Sequence, residues 1–195
     1  MTEKQAQRLK NKIAKIKKAL AADKRYWGGY YHDGGGLRYA PPGLYLKLQD
    51  YKGGMRYFNW FEKNFPDDVG FPVFLFEWAV VLFKTGKFEL AEKKVNQTFF
   101  SNIYILDKFL DKEPLDFKLS LSTSWGMKEM ADAFPYSKKQ EELADFVEWL
   151  EGYVTSDAFY KFANEFIEIE KQLENERPGP KRNRLVKKLY ALKGE

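Results

Sequence analysis

The chain has 195 residues, of which 44% are hydrophobic and 17% aromatic. This is enough apolar material for a folded core and too much for a disordered chain. It has no cysteine and one histidine, which excludes disulfides, thiolate metal sites, cysteine catalysis and metal sites with two imidazoles. The net charge of +5 is uneven, because residues 1–25 carry +7, residues 177–195 carry +6 and the rest of the chain carries −8. Two basic arms therefore flank an acidic body, and they either bind an anionic partner or fold back onto that body.

The start of the chain lacks the apolar segment and the small-residue cleavage site of a secretory signal. The most apolar stretch, residues 71–83, is shorter than the roughly 20 residues that a membrane-spanning helix needs. We therefore expect a cytoplasmic protein without a membrane span.

Residues 3–22 are predicted to form a basic helix with one narrow apolar face. The side chains of that face recur at spacings of three and four residues: Leu9, Ile13, Ile16 and Leu20. Burying four large aliphatic side chains stabilises a fold by up to ~6–10 kcal/mol before entropy costs, whereas each surface ion pair contributes ~0–1 kcal/mol. We therefore expect this arm to dock on the body with its basic side outward. A similar stripe predicts the same for the C-terminal arm: Leu185, Val186, Leu189, Tyr190 and Leu192.

Residues 26–43 differ in character, because six glycines and two prolines exclude a continuous helix. Four tyrosines and a tryptophan among those glycines favour an ordered loop that packs on the helices. Tyr30, Tyr31, Arg38 and Tyr39 are candidates to bind a ligand or partner, or else they form an N-terminal plug that covers the helices after the loop. His32 and Asp33 are adjacent, a poor arrangement for a base and its orienting carboxylate, so no catalytic role is expected there.

From Gly43 onward the apolar period is helical almost throughout. Residues 114–123 alternate and are predicted to be an extended connection, and residues 178–180 (Pro-Gly-Pro) mark a break before the second basic arm. The predicted helices span residues 42–48, 52–64, 71–84, 88–99, 101–111, 124–133, 138–153, 157–176 and 181–193.

One internal repeat is visible, because residues 50–58 align with residues 87–95 at an offset of 37. In each copy an aromatic residue is followed three residues later by a small one and seven residues later by a large apolar one. Tyr51, Gly54 and Phe58 in the first copy correspond to Phe88, Ala91 and Val95 in the second.

This pattern resembles the tetratricopeptide repeat, over about residues 42–100. The resemblance implies an all-α fold in which an array of helical hairpins is capped by extra N- and C-terminal helices. The chain then divides into a basic N-terminal helix (residues 1–25), a Gly/Tyr-rich ordered loop (26–43), a repeat-like helical domain (44–176) and a basic C-terminal segment (177–195).

The resemblance also implies a concave groove, lined in the second repeat by Val73, Phe76, Val80 and Phe83 with Lys84 at its edge. Phe76 and Val80 stand where family members that grip a peptide carboxylate have lysine and asparagine, so that activity is not expected. An apolar groove needs a cover. Either a helix of this chain fills it, or it receives the amphipathic helix of a partner protein.

The sequence contains no phosphate-binding loop, nucleophile elbow or Glu-x-x-His motif. We therefore expect no catalytic residue, cofactor or metal. The predicted function is a non-catalytic protein-interaction scaffold with an apolar concave groove. The alternative is a nucleic-acid-associated protein that binds through its basic arms, and steep weakening of binding by salt distinguishes this alternative.

Overall fold

The computed structural model describes residues 1–117 and 126–193. The fold is all-α and 73% helical, which confirms the predicted class. The predicted extended connection at 114–123 and the start of the helix predicted at 124–133 lie partly outside the described residues. The helices are α1 (Glu3–Tyr26), α2 (Pro41–Leu48), α3 (Tyr51–Asn64), α4 (Pro72–Lys84), α5 (Phe88–Ser101), α6 (Ile105–Leu110), α7 (Lys128–Asp132), α8 (Ala144–Val154), α9 (Asp157–Asn175) and α10 (Pro180–Lys193).

Side-chain caps fix the starts of three helices. The Thr2 hydroxyl accepts the Gln5 N–H, and the Gln5 side chain accepts the Thr2 N–H at 2.8 Å, which completes a capping box on α1. The Asp50 carboxylate caps α3 and the Ser156 hydroxyl caps α9. Helix α1 runs four residues past its predicted end and stops before Gly28, whose φ of 65° is left-handed.

The predicted helix at 138–153 begins later than expected, at Ala144. The Ser137 N–H donates to the Gln140 side chain at 2.9 Å, as in a capping box, but the Ser137 hydroxyl accepts from Lys139 instead of Gln140. Gln140 has an extended backbone, and a 3-10 turn at Glu141–Leu143 precedes α8. The prediction was wrong here because the same side chains close a local turn.

The chain divides into two compact units. The first comprises residues 1–70 and 77–91, and in it α1 packs on α2 and α2 packs on α3. The apolar face of α1 is buried against α2 and α3, which confirms that the first basic arm docks by this face. The buried cluster contains Ile13, Ile16, Leu20, Leu44, Tyr45 and Tyr57, with Leu9 partly buried beside it.

The small residues of the repeat lie at tight positions. A Cβ atom added at Gly54 of α3 would lie 3.1 Å from Val81 of α4 and 3.5 Å from the Cβ of Tyr45 in α2. Ala91, its counterpart, is fully buried. The helices therefore form closely packed pairs that are compatible with a helical repeat.

The second unit comprises residues 71–76 and 92–195. Its helix α10 packs on α9 and buries Leu189, with Leu185, Val186 and Leu192 half-buried, but Tyr190 of the predicted stripe is 49% exposed. The ring of Phe99 in α5 meets Phe159 and Phe166 of α9 at centroid distances of 5.4 and 5.8 Å. None of the helices in the described part of the chain is long and apolar enough to cross a membrane.

Candidate binding surfaces

Asp33 is the centre of the loop that follows α1. Its side chain is only 2% exposed and accepts the backbone N–H groups of Leu37 and Arg38 at 2.8 and 3.0 Å. The Arg38 guanidinium donates to the same carboxylate at 3.0 Å. Because Asp33 bonds to these groups, it does not orient the neighbouring imidazole. The His32 ring instead stacks on the Trp27 ring, with 4.8 Å between their centroids.

Arg38 and Tyr39 also bond to Asp68, which follows α3. The Arg38 Nε lies 2.6 Å from one Asp68 oxygen, and the Tyr39 hydroxyl donates to Asp68 at 2.7 Å. The Tyr57 hydroxyl of α3 donates to the Arg38 carbonyl at 2.7 Å. Burial, strengthened by the bond to Asp68, raises the pKa of Tyr39 to about 12. These contacts tie the loop to α3.

Tyr31 is half-buried in the same unit. Its ring lies 5.6 Å from that of Trp60 and 4.9 Å from that of Phe65, and the Lys24 ammonium lies 4.8 Å from its centroid. Burial raises the pKa of its hydroxyl. Tyr31, Arg38 and Tyr39 were predicted as partner-binding residues, but all three make contacts with other residues of this chain.

The predicted apolar groove is not open. Phe76 and Val80 are both 0% exposed, so the prediction that they line a groove for a partner is wrong. Val73, Phe83 and Lys84 remain partly exposed. The cover comes from this chain, because the ring of Phe76 meets four others at 4.8 to 5.6 Å: Phe109, Phe134, Tyr136 and Phe146.

An open cleft of about 740 Å³ lies in the first unit, between the start of α3 and the end of α4. Lys52, Arg56 and Asn59 lie on one face of α3, because they are spaced by four and three residues. Lys84 approaches from the end of α4, where its ammonium lies 5.4 Å from the centroid of the Tyr51 ring. Met55 and Thr85 complete much of the wall.

The cleft is cationic. It contains Lys52, Arg56 and Lys84 but a single carboxylate, Asp50. An oxygen of Asp50 accepts the Gly53 N–H at 2.8 Å, so this carboxylate is committed to the N-terminus of α3. Lys52 and Arg56 are exposed and form no ion pair with any residue that the structure describes.

Sequence reasoning found only one member of this cleft, Lys84, which it placed at the edge of the apolar groove. The spacing of Lys52 and Arg56 is visible in the sequence. The spacing does not show that the end of α4 lies opposite Lys52 and Arg56, because the position of α4 depends on its packing against α3 at Gly54. The cleft was therefore missed.

A second concavity, of about 720 Å³, lies in the second unit and is acidic. Glu92, Asp145 and Glu148 line it, and Trp149 stacks on Tyr153 at 5.8 Å beside them. Among the residues of the described ranges, no group of three or more acidic or histidine side chains is placed to hold a metal ion.

No protein-family model, curated protein or solved structure matches this chain. Its function is therefore inferred from the described surfaces.

Proposed function

We propose that this protein is a non-catalytic interaction module that binds an acidic segment of a partner protein in the cleft between α3 and α4. The observation that supports this function is the charge of the cleft. Three cations face a volume of about 740 Å³, and the one carboxylate in the wall is committed to capping a helix. A cavity of this kind favours an anionic ligand.

The size and the walls of the cleft suit a peptide. Its volume lies within the ~300–1,000 Å³ of typical ligand sites. Tyr51 and Met55 offer apolar surface beside the cations. The Arg56 guanidinium presents a planar set of hydrogen-bond donors that matches a carboxylate. Hydrogen bonds between such charged groups are stronger than those between neutral groups.

We also infer that α2 to α5 form two repeats of the tetratricopeptide kind. The close approach at Gly54 and the complete burial of Ala91 support this relation. The binding surface is then not the concave face of the array, because Phe76 and Val80 are covered. It is the cleft at the other end of α4, where Lys84 lies.

The test is fluorescence anisotropy with a labelled peptide rich in glutamate. The matched probe is a peptide of the same length in which glutamine replaces every glutamate. We expect the wild-type protein to bind the glutamate peptide and not the glutamine peptide. The double variant K52E/R56E should bind at least ~10-fold more weakly, because each lost charge-assisted hydrogen bond contributes ~1.5–3 kcal/mol.

The control variant is K47E/K63E, which reverses two exposed lysines outside the cleft and makes the same change in net charge. We expect its affinity for the glutamate peptide to stay close to that of the wild type. Equal losses in the two double variants would contradict the proposal, since binding would then follow overall charge. Equal binding of the two peptides would contradict it as well.

A further inference from the structure

We propose that the outward face of α1 and the aromatic residues at its C-terminal end and in the turn after it form a binding site for single-stranded nucleic acid. In this site the phosphates lie along α1, and bases stack on the rings of Tyr26, Trp27 and Tyr30. This surface is separate from the cleft of α3 and α4 and shares no residue with it.

The cations of α1 are arranged in a stripe. At about 100° per residue, the positions opposite the buried face formed by Ile13, Ile16 and Leu20 recur every three or four residues. Gln7, Asn11, Ala14, Ala21 and Ala22 also lie on this side of the helix, and after Glu3 in the first turn it carries no carboxylate. The others are basic: Lys4, Arg8, Lys15, Lys18 and Arg25.

All five cations of the stripe are exposed, and none pairs with an acidic residue in the described part of the chain. The nearest acid toward the end of α1, Asp23, is already used. It accepts the backbone N–H groups of His32 and Asp33 at 2.8 and 3.1 Å. The stripe thus presents unpaired positive charge from Lys4 to Arg25, or along about 32 Å of the helix.

The stripe ends beside a group of exposed rings. Tyr26, Trp27 and Tyr30 are 82%, 48% and 78% exposed, although the Trp27 ring also stacks on His32 and meets Tyr26 edge to face at centroid distances of 4.8 and 5.3 Å. Gly28 and Gly29 have positive φ values of 65° and 102° and turn the chain back after α1. The turn is held in place, because the Gly29 N–H donates to the Lys24 carbonyl at 2.8 Å. The rings are therefore exposed on an anchored segment.

Cations next to exposed rings point to single strands. Phosphate contacts alone need only the lysines and arginines, and they serve duplexes equally well. Exposed rings add stacking on unpaired bases, which contributes ~1–3 kcal/mol per base and tolerates any sequence. A duplex keeps its bases stacked on one another, so Tyr26, Trp27 and Tyr30 would make no such contact with it.

An anionic membrane surface also attracts basic helices with aromatic residues. Such helices insert an apolar face into the lipid. The apolar face of α1 is buried in the first unit, where Ile13, Ile16 and Leu20 are 6%, 8% and 1% exposed. It is therefore not available for insertion, and the observations favour nucleic acid.

The test is fluorescence anisotropy of the full-length protein with a labelled oligothymidylate of about 12 nucleotides, which at ~3.4 Å per nucleotide spans ~41 Å and so covers the ~36 Å of α1 and reaches the turn after it. The competitors are a DNA duplex of equal length and vesicles that contain phosphatidylserine. We expect binding of the single strand to exceed binding of the duplex. The logarithm of the affinity should fall against the logarithm of the salt concentration with a slope of about −3 to −4, as expected for five phosphate contacts on a single strand.

Two variants separate charge from stacking. K15E/K18E should abolish measurable binding, whereas W27A should weaken it by roughly 5- to 150-fold and leave the salt slope unchanged. The matched controls are K47E/K63E for charge and Y160A, an exposed tyrosine of α9, for the rings. Both controls should bind like the wild type.

Each contrary result would overturn the proposal. These results are no binding of the oligothymidylate, equal or tighter binding of the duplex, wild-type affinity in W27A, or competition by the vesicles that equals that of the oligothymidylate. Since all the substituted residues are exposed, circular dichroism should show unchanged helix content in every variant. Binding of the glutamate peptide should also be unchanged in W27A, which keeps this test independent of the proposed peptide cleft.

Discussion

The rings around Phe76 and the rings at the end of α1 (Tyr26, Trp27 and Tyr30) are both aromatic groups, but the first is buried and the second is exposed. Phe76 is 0% exposed, with Phe109 and Phe146 at centroid distances of 4.8 and 5.6 Å. Tyr26 and Tyr30 are 82% and 78% exposed. The comparison shows that a high content of aromatic residues in a segment does not by itself indicate a hydrophobic core. Packing of segments that are distant in the sequence brings the first group together, whereas the second group lies at the end of α1 and in the glycine turn after it.

The loop after α1 shows the same contrast within a few residues. Tyr31 and Tyr39 contact residues of α3 and the segment after it, whereas Tyr26 and Tyr30 are exposed. Tyr39 is held by Asp68, which is 29 residues away in the sequence, and Tyr31 lies against Trp60 and Phe65. Residues distant in the sequence therefore hold these two rings.

Among the substitutions that test this comparison, Phe76→Ala is expected to change the free energy of unfolding most. Removing a fully buried ring from contact with four others should lower the free energy of unfolding by ~3–5 kcal/mol. Denaturant titration measures the change. A loss below about 1 kcal/mol would show that the cluster around Phe76 is not a tightly packed core.

The next effect is expected for Arg38→Ala. It leaves the Asp33 carboxylate, 2% exposed, without its guanidinium and removes one partner of Asp68, so the free energy of unfolding should fall by about 2–3 kcal/mol. Arg25→Ala, an exposed cation of α1, is the control and should stay within ~0.5 kcal/mol of the wild type. Equal stability of the two variants would show that the bonds to Asp33 and Asp68 do not stabilise the loop.

A smaller effect depends on pH. Tyr39 has a pKa of about 12 in the folded protein and an ordinary value of 10.0. Because the folded pKa is the higher one, the contribution of this group is complete below pH 10 and is lost as the pH rises toward 12. The variant Tyr39→Phe should therefore show a weaker loss of stability over this range than the wild type. Denaturant titrations at several alkaline pH values test this, and identical slopes in the two proteins would contradict it.

The smallest effect is expected for Tyr30→Ala. Its ring is 78% exposed, so the free energy of unfolding should change by no more than ~0.5 kcal/mol. Thermal unfolding followed by circular dichroism checks this. A large drop in the midpoint would mean that Tyr30 is part of the core, and the contrast with Phe76 would disappear.

The helices were predictable because their signals are local. Apolar spacing located the buried face of α1, and the helix predicted at 157–176 agrees with α9 to within one residue. The late start of α8 was not predictable, since Ser137 and Gln140 offer the same groups to a helix cap and to a turn. Local sequence does not decide between these two structures.

The binding surfaces were less predictable, because they depend on contacts between distant segments. The sequence predicted one apolar face on α4, but residues 74–82 are buried on every side, and the rings of α6 and α8 that cover Phe76 follow much later in the chain. In the same way, Arg38 was a candidate binding residue in the sequence and pairs with Asp68, 30 residues away. Sequence spacing gives the side chains that share a face, whereas packing decides whether that face stays open.

The docking of α1 has a consequence for proteolysis. The helix carries nine lysine and arginine residues, each of which precedes a bond that trypsin cleaves in an extended chain. A helix held down by Ile13, Ile16 and Leu20 does not fit a protease active site, so these bonds are cut only while α1 is transiently detached. When detachment and return are fast compared with cleavage, the rate of tryptic digestion reports the small population of detached helix. Among the described helices α1 has the most cleavage sites, so tryptic digestion of α1 measures how often it detaches from the first unit.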